Sequence, residues 1–167
     1  MATPLAFVRF VHTVQVGLCL LGATQSYSAI TKLQKYESVS KKLAEWSKEA
    51  EFQLYKTQTT HSTGVFTLVA CIAAAIGLAV YGPIMPAWAR YCGNPAMLLV
   101  TLFARGHIAN FWAPKDGKTV GMKIPLPNMG EYNKAQKATE ELLQTLQWIE
   151  HSWLLTAFVS GTLGYSQ

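Results

Sequence analysis

Apolar residues along the chain gather in four long stretches, separated by polar segments with a helical rather than a strand-like rhythm. The stretches lie at about 4–24, 63–81, 95–113 and 142–165, and the last begins somewhere between Leu142 and Ile149. Each offers the roughly 17–25 residues that cross a bilayer core as a helix. The second, TGVFTLVACIAAAIGLAVY, is the purest. The other three are interrupted: Arg9, His12 and Gln15 in the first, Arg105, His107 and Asn110 in the third, Glu150 and His151 in the fourth. One hydrophobic helix could belong to a soluble bundle, but four in 167 residues favour a membrane.

Two polar segments have their own period. Residues 33–56 place Tyr36, Val39, Leu43, Trp46 and Ala50 at three–four spacing, a narrow apolar seam on a charged helix. Residues 131–149 do the same with Ala135, Ala138, Leu142, Leu146 and Ile149. The pattern predicts an amphipathic helix trailing the first span and another leading into the fourth. Such seams can pack on each other, lie on lipid or dock a partner. Tyr36, Val39, Leu43 and Trp46 are the candidate partner-binding residues. The loop APKDGKTVGMKIPLPNMG is rich in Pro and Gly, and loops of this length usually carry a contact. Tyr81, Trp88 and Tyr91, around the 2–3 connection, have the character of interfacial anchors. The expected fold class is therefore all-α: a single membrane domain, a four-transmembrane-helix bundle with two amphipathic helices on one face.

Charge orients this bundle. Half of the residues are hydrophobic and 14% charged, with a net charge of +5. All eleven lysines fall within 32–56 and 115–137, the two connections that four spans put on the same side. The positive-inside rule places that side in the cytoplasm or the mitochondrial matrix, with both termini opposite. Membrane identity stays open between the endoplasmic reticulum, the mitochondrial inner membrane and a bacterial inner membrane. The lysines alternate with glutamates along helical segments, so no nucleic-acid partner is expected. The N-terminal stretch has no basic leader region and is read as a retained helix rather than a signal peptide. Cys19, Cys71 and Cys92 form no CxxC pair, and the first two are read as small apolar packing residues.

The polar residues within the spans are the candidate chemistry. An unpaired Arg inside a bilayer costs at least about 2.5–3.5 kcal/mol. Counted from the lysine-rich ends of spans three and four, Arg105 and Glu150 share one depth, roughly 12 Å in and close to mid-bilayer. They form the expected ion pair. His12, Arg105, His107, Glu150 and His151 are the catalytic candidates should the protein be an enzyme, with His and Glu able to exchange protons. No HxxxH, HxxEH or ExxH pair occurs, so no metal or other cofactor is expected. P-loop, GxGxxG, GxSxG and HExxH motifs are absent as well. Ser160 and Gly164 make a small-xxx-small pair suited to close helix contact.

The stretch PLPNMGEYNKAQKATEELLQTLQWIEHSWLLTAFVSGTLG resembles the C-terminal part of the small four-span anthrone-oxygenase-like membrane proteins. That family has a Pro-x-Asn turn, an amphipathic helix with a tryptophan and a final span with a small-residue end. Here Pro127 and Asn128 are adjacent, and Trp153 stands where the family tends to have arginine. The resemblance covers about 40 residues and implies oxidation of a polycyclic phenolic substrate without an obvious cofactor; it assigns no catalytic residue. Two functions are thus expected. The first is an accessory, assembly or scaffold subunit of a membrane complex, with the bilayer and other membrane proteins as partners. The alternative is a small membrane enzyme, a possible oxidoreductase, on a lipophilic ligand held by the His/Arg/Glu cluster.

Overall fold

The computed structural model describes residues 4–44, 48–112 and 129–163, with side chains at 5–34, 55–112 and 133–162. Among these residues every regular element is helical. Four long helices are joined as α1 (Pro4–Ala44), α2 (Lys48–Tyr81), α3 (Ala87–Trp112) and α4 (Met129–Leu163). Neighbours run antiparallel. Arg9 at the start of α1 meets Ala79 near the end of α2, and Trp112 at the end of α3 meets Thr60 of α2. Asn94 of α3 meets Ser160 of α4, and Gln25 of α1 meets Thr145 of α4. The most extensive interfaces are those of α1 with α4 and α2, which make α1 the spine of the bundle.

Helix boundaries differ from the sequence reading in three places. The amphipathic helix expected at 33–56 is not one element. Its first part continues α1 to Ala44, and its last part opens α2 at Lys48. The seam from Tyr36 to Ala50 is therefore shared between two helices, because nothing in residues 25–40 stops α1. Trp46 and the side chains of Tyr36, Val39 and Leu43 lie outside the described residues, as do residues 113–128 of the Pro/Gly loop and Gly164. Second, α3 begins at Ala87, not at Pro95. Pro86 starts it by accepting from the backbone N–H of Ala89 and Arg90 at 3.0 and 3.2 Å, and the interior Pro95 is carried along. A long helix packed on neighbours tolerates such a proline. Third, the segments 131–149 and 142–165 are one uninterrupted helix, α4. The α2–α3 reversal is a short 3-10 turn, Gly82–Ile84, closed by Met85 N–H donating to Tyr81 O at 3.0 Å.

The second seam faces inward. Ala135, Leu142, Leu146 and Ile149 are at most 1% exposed and join Leu33, Cys19, Leu68, Cys71, Ile108 and Trp153 in one continuous core. Cys19 and Cys71 are buried, as packing residues would be, and Cys92 is exposed. Gly22 lies where Leu68 of α2 packs closely on α1: an added Cβ would be 2.8 Å from Leu68 Cδ2.

The outer surface is divided lengthwise. Large apolar residues are exposed on α1 from Phe7 to Leu21, on α2 from Val65 to Tyr81 and on α3 from Trp88 to Phe103. On α4 they run from Trp148 to Phe158. Outside these runs Tyr27, Tyr55 and Ile84 are exposed as well, beside polar residues: Gln58 and Ser62 on α2, Asn110 on α3 and Lys137, Glu140 and Glu141 on α4. Two helices contain segments long and apolar enough to cross a membrane, Leu5–Gln34 and Tyr55–Ile84, and only 39% and 33% of those windows are buried. In α3 and α4, polar residues such as Arg105, His107, Asn110, Gln144 and Glu150 dilute the same property.

Candidate functional site

The structure brings together Arg105 and Glu150. Arg105 Nε donates to Glu150 Oε2 at 2.7 Å across the α3–α4 interface, with side chains 33% and 13% exposed. A charged hydrogen bond of this length is among the stronger side-chain contacts. Phe103 is the last large exposed apolar residue of α3, and Trp148 is the first of α4, so on these two helices the pair lies at the lysine-rich end of the exposed apolar runs.

His12 occupies a different place, inside the bundle. It is fully buried, and its Nδ1 bonds Gln15 Oε1 at 2.6 Å, one helical turn along α1. Its ring lies against the Trp153 indole of α4, with centroids 5.7 Å apart. Gln15 and Trp153 are also fully buried. The remaining nitrogens of this group, His12 Nε2, Gln15 Nε2 and Trp153 Nε1, make no geometrically acceptable hydrogen bond among the described residues.

His107 and His151 do not join either group. His107 is half-buried and stacks on Phe103 of its own helix, at 6.5 Å and 5°. His151 is exposed and meets Trp148, again of its own helix, at 6.2 Å. The five catalytic candidates are thus divided among an edge ion pair, an interior His–Gln pair and two outward histidines. Among the described residues no group of three or more His, Cys, Asp or Glu side chains is placed to hold a metal ion. An open depression lies on the outer face of α2, lined by Tyr55, Gln58, Thr59, Ser62, Thr63, Phe66 and Thr67. None of the five candidates borders it.

Several polar contacts were not legible beforehand. Asn94 Nδ2 donates to Ser160 Oγ at 3.1 Å, Trp112 Nε1 to Thr60 Oγ1 at 3.2 Å, and Thr145 Oγ1 to Gln25 Oε1 at 2.8 Å. Cys71 Sγ and Thr101 Oγ1 lie 3.6 Å apart. Each joins two helices at one level, and with Arg105–Glu150 they step along the bundle from one end to the other. Their only sequence signal is the recurrence of Thr, Asn and Ser in apolar surroundings, which also fits local bonding: Thr63, Thr67 and Thr139 donate to the carbonyl four residues back. Comparison of the chain with protein-family models, curated proteins and solved structures finds no match.

Proposed function

We propose that the chain is a four-span integral membrane protein serving as an accessory or assembly subunit of a larger membrane complex. The exposed apolar band carries the membrane reading. A surface that buries against one protein partner is apolar on one side, whereas here the band appears on the outer faces of all four helices. Trp88, Tyr81, Tyr91 and Trp148 stand near its limits, where amphipathic rings anchor to headgroups. The lysine-bearing connections then lie on the cytoplasmic or matrix side. Beyond the band, α1, α2 and α4 project on that side as a helical extension.

The accessory role rests on how the polar side chains are used. Among the described residues several join neighbouring helices as clamps, and the five candidates fall in separate places, which suits a framework more than a reaction centre. Purification of the tagged protein from its native membrane in mild detergent, resolved by native mass, tests the reading. The expected result is recovery in a stoichiometric complex. Recovery alone, as a monomer or homo-oligomer, overturns it and favours the enzyme acting on a lipophilic substrate.

A further inference from the structure

The Arg105–Glu150 bond uses one corner of each side chain. A guanidinium has several N–H donors in a planar fork, and a carboxylate has two acceptor oxygens. Arg105 Nε and Glu150 Oε2 engage each other at 2.7 Å. The terminal nitrogens of Arg105 and Oε1 of Glu150 make no hydrogen bond among the described residues. Both side chains reach the surface, at 33% and 13% exposure. Covalent geometry keeps these remaining ends together, since each adjoins an engaged atom. The pair therefore presents a cationic donor end and an anionic acceptor within a few ångströms of each other. Its complement carries an anion and a cationic donor at similar spacing. A lone phosphate answers Arg105 and is repelled by Glu150, and a lone ammonium meets the reverse. Phosphoethanolamine answers both: its phosphate accepts from the guanidinium fork, and its ammonium donates to Oε1.

The helix surface beside the pair indicates what such a headgroup is attached to. Because α3 and α4 are antiparallel, one direction leads back along α3 from Arg105 and onward along α4 from Glu150. It is the direction of the exposed apolar runs, away from the lysine-rich end. Leu102 and Leu98 lie one and two turns from Arg105 on its side of α3. Leu154, Ala157 and Gly161 lie one, two and three turns from Glu150 on its side of α4. Leu102 and Leu154 are 38% and 54% exposed. Gly161 faces open space, where an added Cβ meets nothing within 4 Å. Deeper in the same interface the two helices are joined by Asn94 and Ser160. An apolar seam with small residues on one wall thus runs from the charge pair into the exposed apolar surface, as an acyl chain requires. We propose that Arg105 and Glu150 form a headgroup site for a phosphatidylethanolamine-type lipid, with one acyl chain along the α3–α4 seam. The proposal rests on the membrane reading above and gives the pair a role beyond joining two helices. Phosphatidylcholine fits less well, because its quaternary ammonium has no N–H for Glu150. Phosphatidylglycerol brings an anion and no cation.

Native mass spectrometry of the full-length protein in mild detergent, with the three dioleoyl lipids added singly, compares headgroups on identical chains. The ethanolamine lipid is expected to bind about 3–5-fold more tightly than the other two, the scale of one partly exposed charge pair. Glu150→Gln keeps an acceptor for Arg105 Nε and removes the anion. In that variant the preference for ethanolamine over glycerol should disappear or invert. Equal binding of all three lipids by the wild type, or an unchanged preference in Glu150→Gln, overturns the proposal. Should Glu150→Gln fail to fold, Gly161→Phe takes its place, because the position is open. It blocks the seam and should weaken all three lipids by a similar factor, and unchanged binding overturns the proposal. Alkaline extraction from vesicles of phosphatidylcholine alone tests the membrane reading separately. A protein that stays with the vesicles but shows no headgroup preference refutes the site and spares that reading. One that is extracted refutes both.

Discussion

Glu150 holds the guanidinium of Arg105 across the α3–α4 interface, and the two charges matter most to each other. Removing one leaves the other facing a surface of reduced polarity. Breaking a fully buried pair costs about 3–5 kcal/mol; Arg105 is a third exposed, so solvent or headgroups recover part of that. Arg105→Leu and Glu150→Leu are each expected to lower stability in detergent by about 1–3 kcal/mol. The Arg105→Leu/Glu150→Leu double variant should be more stable than either single change, because no lone charge remains. Thermal unfolding of the four proteins makes a double-mutant cycle, and additive losses would refute the coupling. Glycines offer a second contrast at this scale. An added Cβ at Gly17 meets nothing within 4 Å, whereas one at Gly22 meets Leu68 at 2.8 Å and Thr145 at 3.5 Å. Gly17→Ala is expected to be neutral or to stabilise by roughly 0.5–1 kcal/mol through helix propensity. Gly22→Val should destabilise by about 1–3 kcal/mol through overpacking. Equal melting temperatures for the two variants would contradict the close α1–α2 approach. Of this residue-scale detail, the Arg105–Glu150 pair could be reasoned from the sequence, because a lone acid and a lone base at matched depth have few other partners. The His12–Trp153 contact could not. Trp153 reads as one more large apolar residue, and only the packing of α4 on α1 brings the two rings together.

Helix periodicity identified which face of α4 turns inward, but could not say what covers it. Three–four spacing at Ala135, Ala138, Leu142, Leu146 and Ile149 is equally suited to a core, a membrane surface or a foreign helix. In the structure all five are buried by the protein's own helices. Leu146→Ala is therefore expected to cost about 2–5 kcal/mol in the isolated protein. Leu154→Ala, on the outer face and 54% exposed, should cost far less in detergent. If Leu146→Ala left the isolated protein's melting unchanged, the seam would belong to something other than this bundle. Element boundaries were harder to read than faces. The sequence places the third span at 95–113, whereas α3 begins at Ala87, directly after Pro86, and carries Pro95 in its interior. α1 ends at Ala44 and α2 begins at Lys48, and the sequence around those ends holds neither glycine nor proline to mark a boundary.

At the scale of the whole molecule, apolar band, polar clamps and lysine distribution combine into a single directional object. The clamps fix the register of four antiparallel helices, register aligns their outward apolar residues into bands, and the lysines mark which end is which. Charge counting gives an expected direction from sequence because it needs only the order of segments. The height of the bands needed coordinates, since it depends on which residues face out. Cys92 allows the direction itself to be measured. It is exposed on α3 at the lysine-poor end, while Cys19 and Cys71 are buried in the core. A membrane-impermeant maleimide added to sealed vesicles should label one cysteine per chain, from the lysine-poor side alone, and Cys92→Ser should abolish the labelling. Lysine residues within 32–56 should be cut by trypsin only from the opposite side. Labelling of Cys92 and tryptic cleavage from the same side would place both ends of the bundle in one compartment. The apolar bands would then face another protein instead of lipid, and the four-span reading would fall.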